Sequence, residues 1–222
     1  MTPLPKGLYD ERVTRELRST YDMGFASSRL VALKDRPKAT GASSYLNPGS
    51  LADGESVRFS PVGESSIDFF EVWGRTADGK PKCLRFSDEP TTTELNQRAK
   101  SEGVELIDQR GNPTKMKMAM AFFVWNYNTS SVQLFQASQV GILETLASLF
   151  SDEDVANDPG AWDLELTRSG TGMETRYQVV LKPGKRKGPV KAEVDAAWEE
   201  AEAEGYNLSA LISGGDPFKS PF

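Results

Sequence analysis

The chain has no histidine and a single cysteine, Cys83, among its 222 residues. Without histidine, Ser–His–Asp and Cys–His nucleophilic catalysis is excluded. One cysteine likewise excludes an internal disulfide framework and the common structural zinc sites, and it points to a reducing compartment. No apolar run reaches the ~18 residues that a membrane-spanning helix needs, and residues 1–30 lack the apolar centre of a secretory signal. What is present is 38% hydrophobic residues, with 32 acidic against 26 basic groups and a net charge of −6. That suffices for one domain with a real core and appendages. The expectation is a soluble intracellular protein, not an enzyme, that needs no cofactor or metal.

Charge is spread unevenly: residues 1–40 carry a net +3, residues 41–190 a net −4 and residues 191–222 a net −5. A mildly basic head and an acidic tail suit termini that serve interactions. Residues 1–44 read as a flexible N-terminal arm and linker, with Leu8, Val13, Leu17 and Tyr21 at helical spacing over Leu8–Asp22, able to touch a neighbouring protomer. Residues 45–183 read as the folded domain. Residues 184–222 read as a basic linker (Gly184-Lys185-Arg186-Lys187-Gly188) and an acidic, partly disordered tail lying off the domain.

The middle is strand-rich. Val57–Val62 alternates, Ser66–Arg75 holds Ile67, Phe69, Phe70, Val72 and Trp73, and Asp78-Gly79 marks a hairpin into Lys80–Phe86. A short helix over Thr91–Glu102 has Thr91 or Thr92 as N-cap and closes at Gly103. Lys115–Tyr127 and Val132–Phe135 pair as a second hairpin. Ser138 caps an amphipathic helix with the stripe Ile142, Leu143, Leu146, Leu149 and Phe150. Trp162–Arg168 and Thr175–Leu181 follow the acidic loop Ser151–Gly160. Strands with inserted helices and Gly/Asp turns at this spacing favour a closed β-barrel over a doubly wound α/β fold.

Two constellations carry chemistry. On the Lys115–Tyr127 strand, the period of two puts Lys115, Lys117, Ala119, Ala121, Phe123, Trp125 and Tyr127 on one face and Met116, Met118, Met120, Phe122 and Val124 on the other. The second face is core. The first, basic at one end and aromatic at the other, suits a phosphate polymer with flat rings; an uncharged Ala119–Trp125 run equally suits a strand buried on both sides. The other constellation is the Ile67–Phe86 hairpin, which groups Trp73, Arg75, Lys80 and Lys82 near its tip, with Arg58 and Arg85 as weaker members. Asp152, Asp154 and Asp158 would suit a metal-dependent nuclease, but their spacing matches no calcium loop. Cys83 reads as a small packed apolar residue. At the C-terminus, Asp216-Pro217-Phe218 and Pro221-Phe222 beside acidic residues form a natural peptide ligand, and the same tail can compete with nucleic acid for the basic groove.

Three stretches resemble the OB-fold single-stranded-DNA-binding proteins of tailed bacteriophages. They are Tyr45-Leu46-Asn47-Pro48 with Glu55-Ser56-Val57-Arg58-Phe59; Met120–Tyr127 with Val132–Phe135 and the helix Ser138–Phe150; and Asp152-Glu153-Asp154 followed by Trp162–Arg168 leading into Ser169-Gly170-Thr171-Gly172-Met173-Glu174-Thr175-Arg176-Tyr177. The resemblance implies an OB-fold-like closed barrel that coats single-stranded DNA in phage replication, recombination and repair, in the cytoplasm of the infected host. Its groove residues would be Arg58, Trp73, Arg75, Lys80, Lys82, Lys117, Trp125, Tyr127 and Arg176. The tail residues Asp216, Phe218, Pro221 and Phe222 would dock replication or recombination proteins. An OB-type protein-interaction or assembly module without nucleic-acid affinity is the alternative.

Overall fold

The structure is a computed structural model and describes residues 43–63, 65–182 and 189–219, all within the compact unit Gly41–Phe222. The expected helix at Leu8–Asp22, the linker 183–188 and the terminal Pro221 and Phe222 lie outside the described residues.

The strands are β1 (Tyr45–Leu46), β2 (Ser56–Pro61), β3 (Ile67–Thr76), β4 (Pro81–Phe86), β5 (Val104–Glu105), β6 (Lys117–Asn126), β7 (Ser131–Ala137), β8 (Leu164–Ser169) and β9 (Arg176–Leu181). The helices are α1 (Thr92–Ser101), α2 (Val140–Phe150), α3 (Glu153–Ala156), α4 (Pro189–Ala203) and α5 (Ala210–Ser213). The fold is mainly β with a few helices, as its sequence suggests.

The closed barrel is a correction. The sheet runs β1-β7-β6-β2-β8-β9, and β3, with β4 and β5, branches from β6. β9 and β1 end the path without joining. The physical reason lies in β6, whose ten residues serve two partners along one edge. Lys117–Ala121 pair with β3 and Val124–Asn126 pair with β2. The sheet therefore forks at β6 instead of curling round to close.

Three cores follow from the two faces. Phe122 and Val124 point to one side, where α2 packs Ile142 and Leu146 (both 0% exposed) against Phe59, Phe135 and Leu166. Ala119, Ala121, Phe123 and Trp125 point to the other. Under α1, Leu84, Ala99 and Val104 form a smaller cluster.

Local rules set the element ends. Thr91 caps α1 and Glu94 completes a capping box, which satisfies two orphan N–H groups. At α2 the cap position falls on Gln139, not Ser138, and makes no side-chain cap bond. Instead the helix is held by burial of its stripe. Gly74 lets β5 approach β3 closely, since a Cβ there would lie 2.4 Å from Val104 Cγ1 and 2.5 Å from the Glu105 carbonyl.

The expected free tail is the second correction. α4 and α5 pack on the sheet: Val194, Leu208 and Leu211 are buried with Phe123 and Trp125, and Phe218 joins them. The reason is an apolar stripe, Val194–Ala197–Ala201 at helical spacing, which the many acidic residues on α4's other faces obscure.

Candidate nucleic-acid interface

One face of β6 runs from Lys117 to Tyr127 over roughly 33 Å of extended chain. Its structure divides into an open end, a covered middle and a second, ion-paired end.

At the open end stands Trp73 of β3, 45% exposed. β6 pairs with β3 only as far as Glu71 and β5 begins at Arg75. Positions 72–74 thus have no strand beside them on that edge, which leaves the indole accessible. Trp73 lies opposite Cys83 and Arg75 opposite Pro81 on β4, while Lys117 lies opposite Glu71 on β6. Directly opposed residues share a face, so Trp73, Arg75, Arg85 and Lys117 belong to one surface. The Arg75 guanidinium is steadied by donating to the Gly79 carbonyl at 2.5 Å. Arg85 sits over the Phe69 ring at 5.8 Å and donates to Gln136 Oε1 at 3.4 Å. Lys115, exposed, precedes this end of β6. Neither Arg75, Lys115 nor Lys117 has a carboxylate partner among the described residues.

In register between Arg85 of β4 and Lys117 of β6 lies Glu71, 4% exposed. Its Oε2 accepts from Gln136 Nε2 at 2.9 Å and from the Cys83 thiol at 3.7 Å. Burial foremost pushes the Cys83 thiol up to about 12, against the opposing pull of Arg85 and with the help of Glu71. A thiol so raised stays protonated at pH ~8.5, where a free one is half ionised. Cys83 is therefore expected to resist a thiol-disulfide reagent at that pH in the folded protein and to react promptly in urea. Prompt reaction without denaturant would show the site to be open.

Two expected members are not part of this surface. Lys82 faces the opposite side, where its Nζ pairs with Glu102 at 3.0 Å. Lys80, at the turn, pairs with Asp78 at 2.7 Å.

The middle of the face corrects the sequence reading. Trp125 is 6% exposed and Phe123 is 2% exposed, so neither ring is available for stacking in this arrangement. Trp198, Tyr206 and Phe218 surround Phe123 at ring-centre distances of 5.4, 5.4 and 6.2 Å. The acidic C-terminal segment thus occupies the place where bases were expected. Asp216 accepts from its own Phe218 N–H and from Lys219, which holds its carboxyl below the usual range. Phe218 is turned inward rather than presented to a partner.

At the far end Arg58 and Tyr127 converge on Asp163, which is 4% exposed. Arg58 Nε donates to Asp163 Oδ2 at 3.0 Å, its Nη2 bonds the same oxygen, and the Tyr127 hydroxyl donates to Oδ1 at 2.8 Å. The guanidinium also lies 4.9 Å above the Tyr127 ring. This is a fixed, half-exposed cation whose charge a buried carboxylate already offsets. Arg176 is exposed at the start of β9, with its guanidinium on the Thr175 carbonyl.

Among the described residues no group of three or more Cys, Asp or Glu side chains could hold a metal ion. Asp152 is used instead as the N-cap of α3, accepting from the Asp154 N–H at 2.9 Å. No helix among the described residues is long and apolar enough to cross a membrane. Burial of the β6 strand on both sides was one of the two readings its sequence allowed; that the C-terminal segment supplies the cover was the feature sequence reasoning missed. The signal was the 194–197–201 spacing together with Leu208, Leu211 and Phe218. Compared with known family models, curated proteins and solved structures, the chain matches none.

Proposed function

We propose that this chain binds single-stranded DNA without sequence preference, through the open end of the β6 face. The observation that carries the reading is the half-exposed Trp73 indole on the same sheet face as Arg75 and Lys117, with Lys115 just before β6; none of these three cations has a carboxylate ion-pair partner among the described residues. Such a surface captures phosphates by charge and holds one base by stacking on the indole. Arg85 extends it and Arg58 and Arg176 lend cations at its margins. The resemblance to phage single-stranded-DNA-binding proteins adds the setting: coating of DNA in replication and recombination inside an infected host, with other proteins of that process docking on the C-terminal segment.

Anisotropy of a labelled oligothymidine, titrated at several salt concentrations, tests this. Trp73→Ala is expected to weaken binding roughly 5- to 150-fold, the worth of one stacked base, with no change in melting temperature. Lys117→Ala should lower the slope of log affinity on log salt by about 0.7. Affinity indifferent to Trp73 and to salt would refute the reading. The covered state of Phe123 and Trp125 favours the alternative of a protein-interaction module, for which partners would survive nuclease treatment in a pull-down.

A further inference from the structure

Where β2 ends and the chain leads on to β3, two hollows share Pro61, Val62, Gly63, Ala156 and Pro159 as common wall. The smaller has a volume of about 160 Å³, with Phe122 and Phe150 among its walls. In size alone, roughly 150 Å³ is room for one ring-sized side chain. The larger, about 660 Å³, lies between the loop after α3 and helix α4.

Helix α4 builds the larger hollow's wall from a second stripe. Asp195, Trp198, Glu199 and Glu202 follow the i, i+3, i+4, i+7 pattern, beside the stripe that packs on the sheet. Trp198 is pinned in place against Gly63. A Cβ at Gly63 would come within 2.8 Å of Trp198 Cζ2, and its φ of +79° disfavours any side chain. The charge is one-sided. Among the described residues, Asp158, Asp195, Glu199 and Glu202 line the hollow against one cation, Lys191, which is already paired with Asp195 at 2.6 Å. Asp158, Glu199 and Glu202 have no ion-pair partner among the described residues.

We propose that this groove receives a cationic amphipathic segment of a partner protein. One aliphatic or aromatic side chain of that segment enters the smaller hollow over Phe122 and Phe150, and its lysines or arginines meet Asp158, Glu199 and Glu202. Charge complementarity selects the occupant: an acidic or neutral peptide would leave these carboxylates facing like charge or nothing, whereas a basic one neutralises them at the rim and buries its apolar face. The site is independent of the Trp73 surface, so it stands whether or not that surface binds DNA.

The test uses the full chain and a short fluorescent helical peptide with arginines on one face and a Leu–Phe pair on the other. Ala156→Arg, which fills the shared wall with a bulky group of the peptide's own charge, and the double change Glu199→Lys with Glu202→Lys are each expected to weaken peptide binding about tenfold or more. All three positions are exposed, so the melting temperature should hold. A peptide with both apolar anchors changed to serine should lose affinity to a similar degree. Equal binding of that serine peptide, or of the native peptide to the variants, overturns the proposal. So does a self-associated form in sedimentation that Ala156→Arg dissolves, since the occupant would then be a second copy.

Discussion

Phe123→Ala is expected to lower the stability of the fold by about 3–5 kcal/mol, read as a fall in the urea midpoint at unchanged slope. Phe123 is 2% exposed and lies between the sheet and the C-terminal segment. Three rings, Trp198, Tyr206 and Phe218, meet it from that segment, and Phe218 meets Tyr206 in turn at 5.3 Å. Removing the phenyl deletes apolar contacts on both sides and leaves a cavity that neither the rigid strand nor a short helix can collapse into. Truncation should also loosen α4 and α5, so protease cleavage within 189–219 should quicken more than cleavage within β6. A loss below about 1 kcal/mol, with no change in proteolysis, would mean that the C-terminal segment is not seated on this strand. The same variant tests competition between the acidic segment and DNA. If the segment blocks part of the groove, Phe123→Ala should bind oligothymidine more tightly despite being less stable.

The second large effect falls at Arg58. Arg58→Ala removes the guanidinium that makes two of the three side-chain bonds to the nearly buried Asp163 carboxylate. An acid left with only a tyrosine hydroxyl in the interior has lost most of its compensation, and the expected cost is roughly 2–3 kcal/mol. The value sits below the range for fully buried pairs because the Arg58 side chain is itself 50% exposed. Asp163→Asn, which leaves the arginine free to turn to water, should cost less. A comparison of the two in urea, alongside oligothymidine affinity, separates structure from binding. Lost stability with undiminished affinity assigns Arg58 to the fold; a tenfold drop in affinity beyond it assigns a phosphate contact as well.

Much of the local structure was legible because it obeys short-range rules. The Asp78-Gly79 hairpin, the Thr91 cap and the alternation of β6 all follow from turn chemistry and the two-residue period. Ser138 failed as a cap because an apolar stripe can hold a helix start without one. Barrel closure was not legible: turn spacing counts strands but does not say which strand a ten-residue partner will bond along each half of its edge. For the candidate site, periodicity placed Lys117, Phe123, Trp125 and Tyr127 on one face correctly. What covers a face depends on contacts distant in the chain, and five acidic residues on α4 made that helix read as solvated. Lys82 was misplaced for a simpler reason, since it lies one residue off the Cys83 position that opposes Trp73.

The fork at β6 has a mechanical corollary. Ala119, Ala121 and Phe123 lock into one layer while Phe122 and Val124 lock into the other, so a one-residue slip would drive both sets into the wrong surroundings at once. Register is thereby fastened from two directions, and neither layer can melt while its neighbour stands. Backbone amides along this strand should be the last to exchange with heavy water, opening only when the whole molecule does.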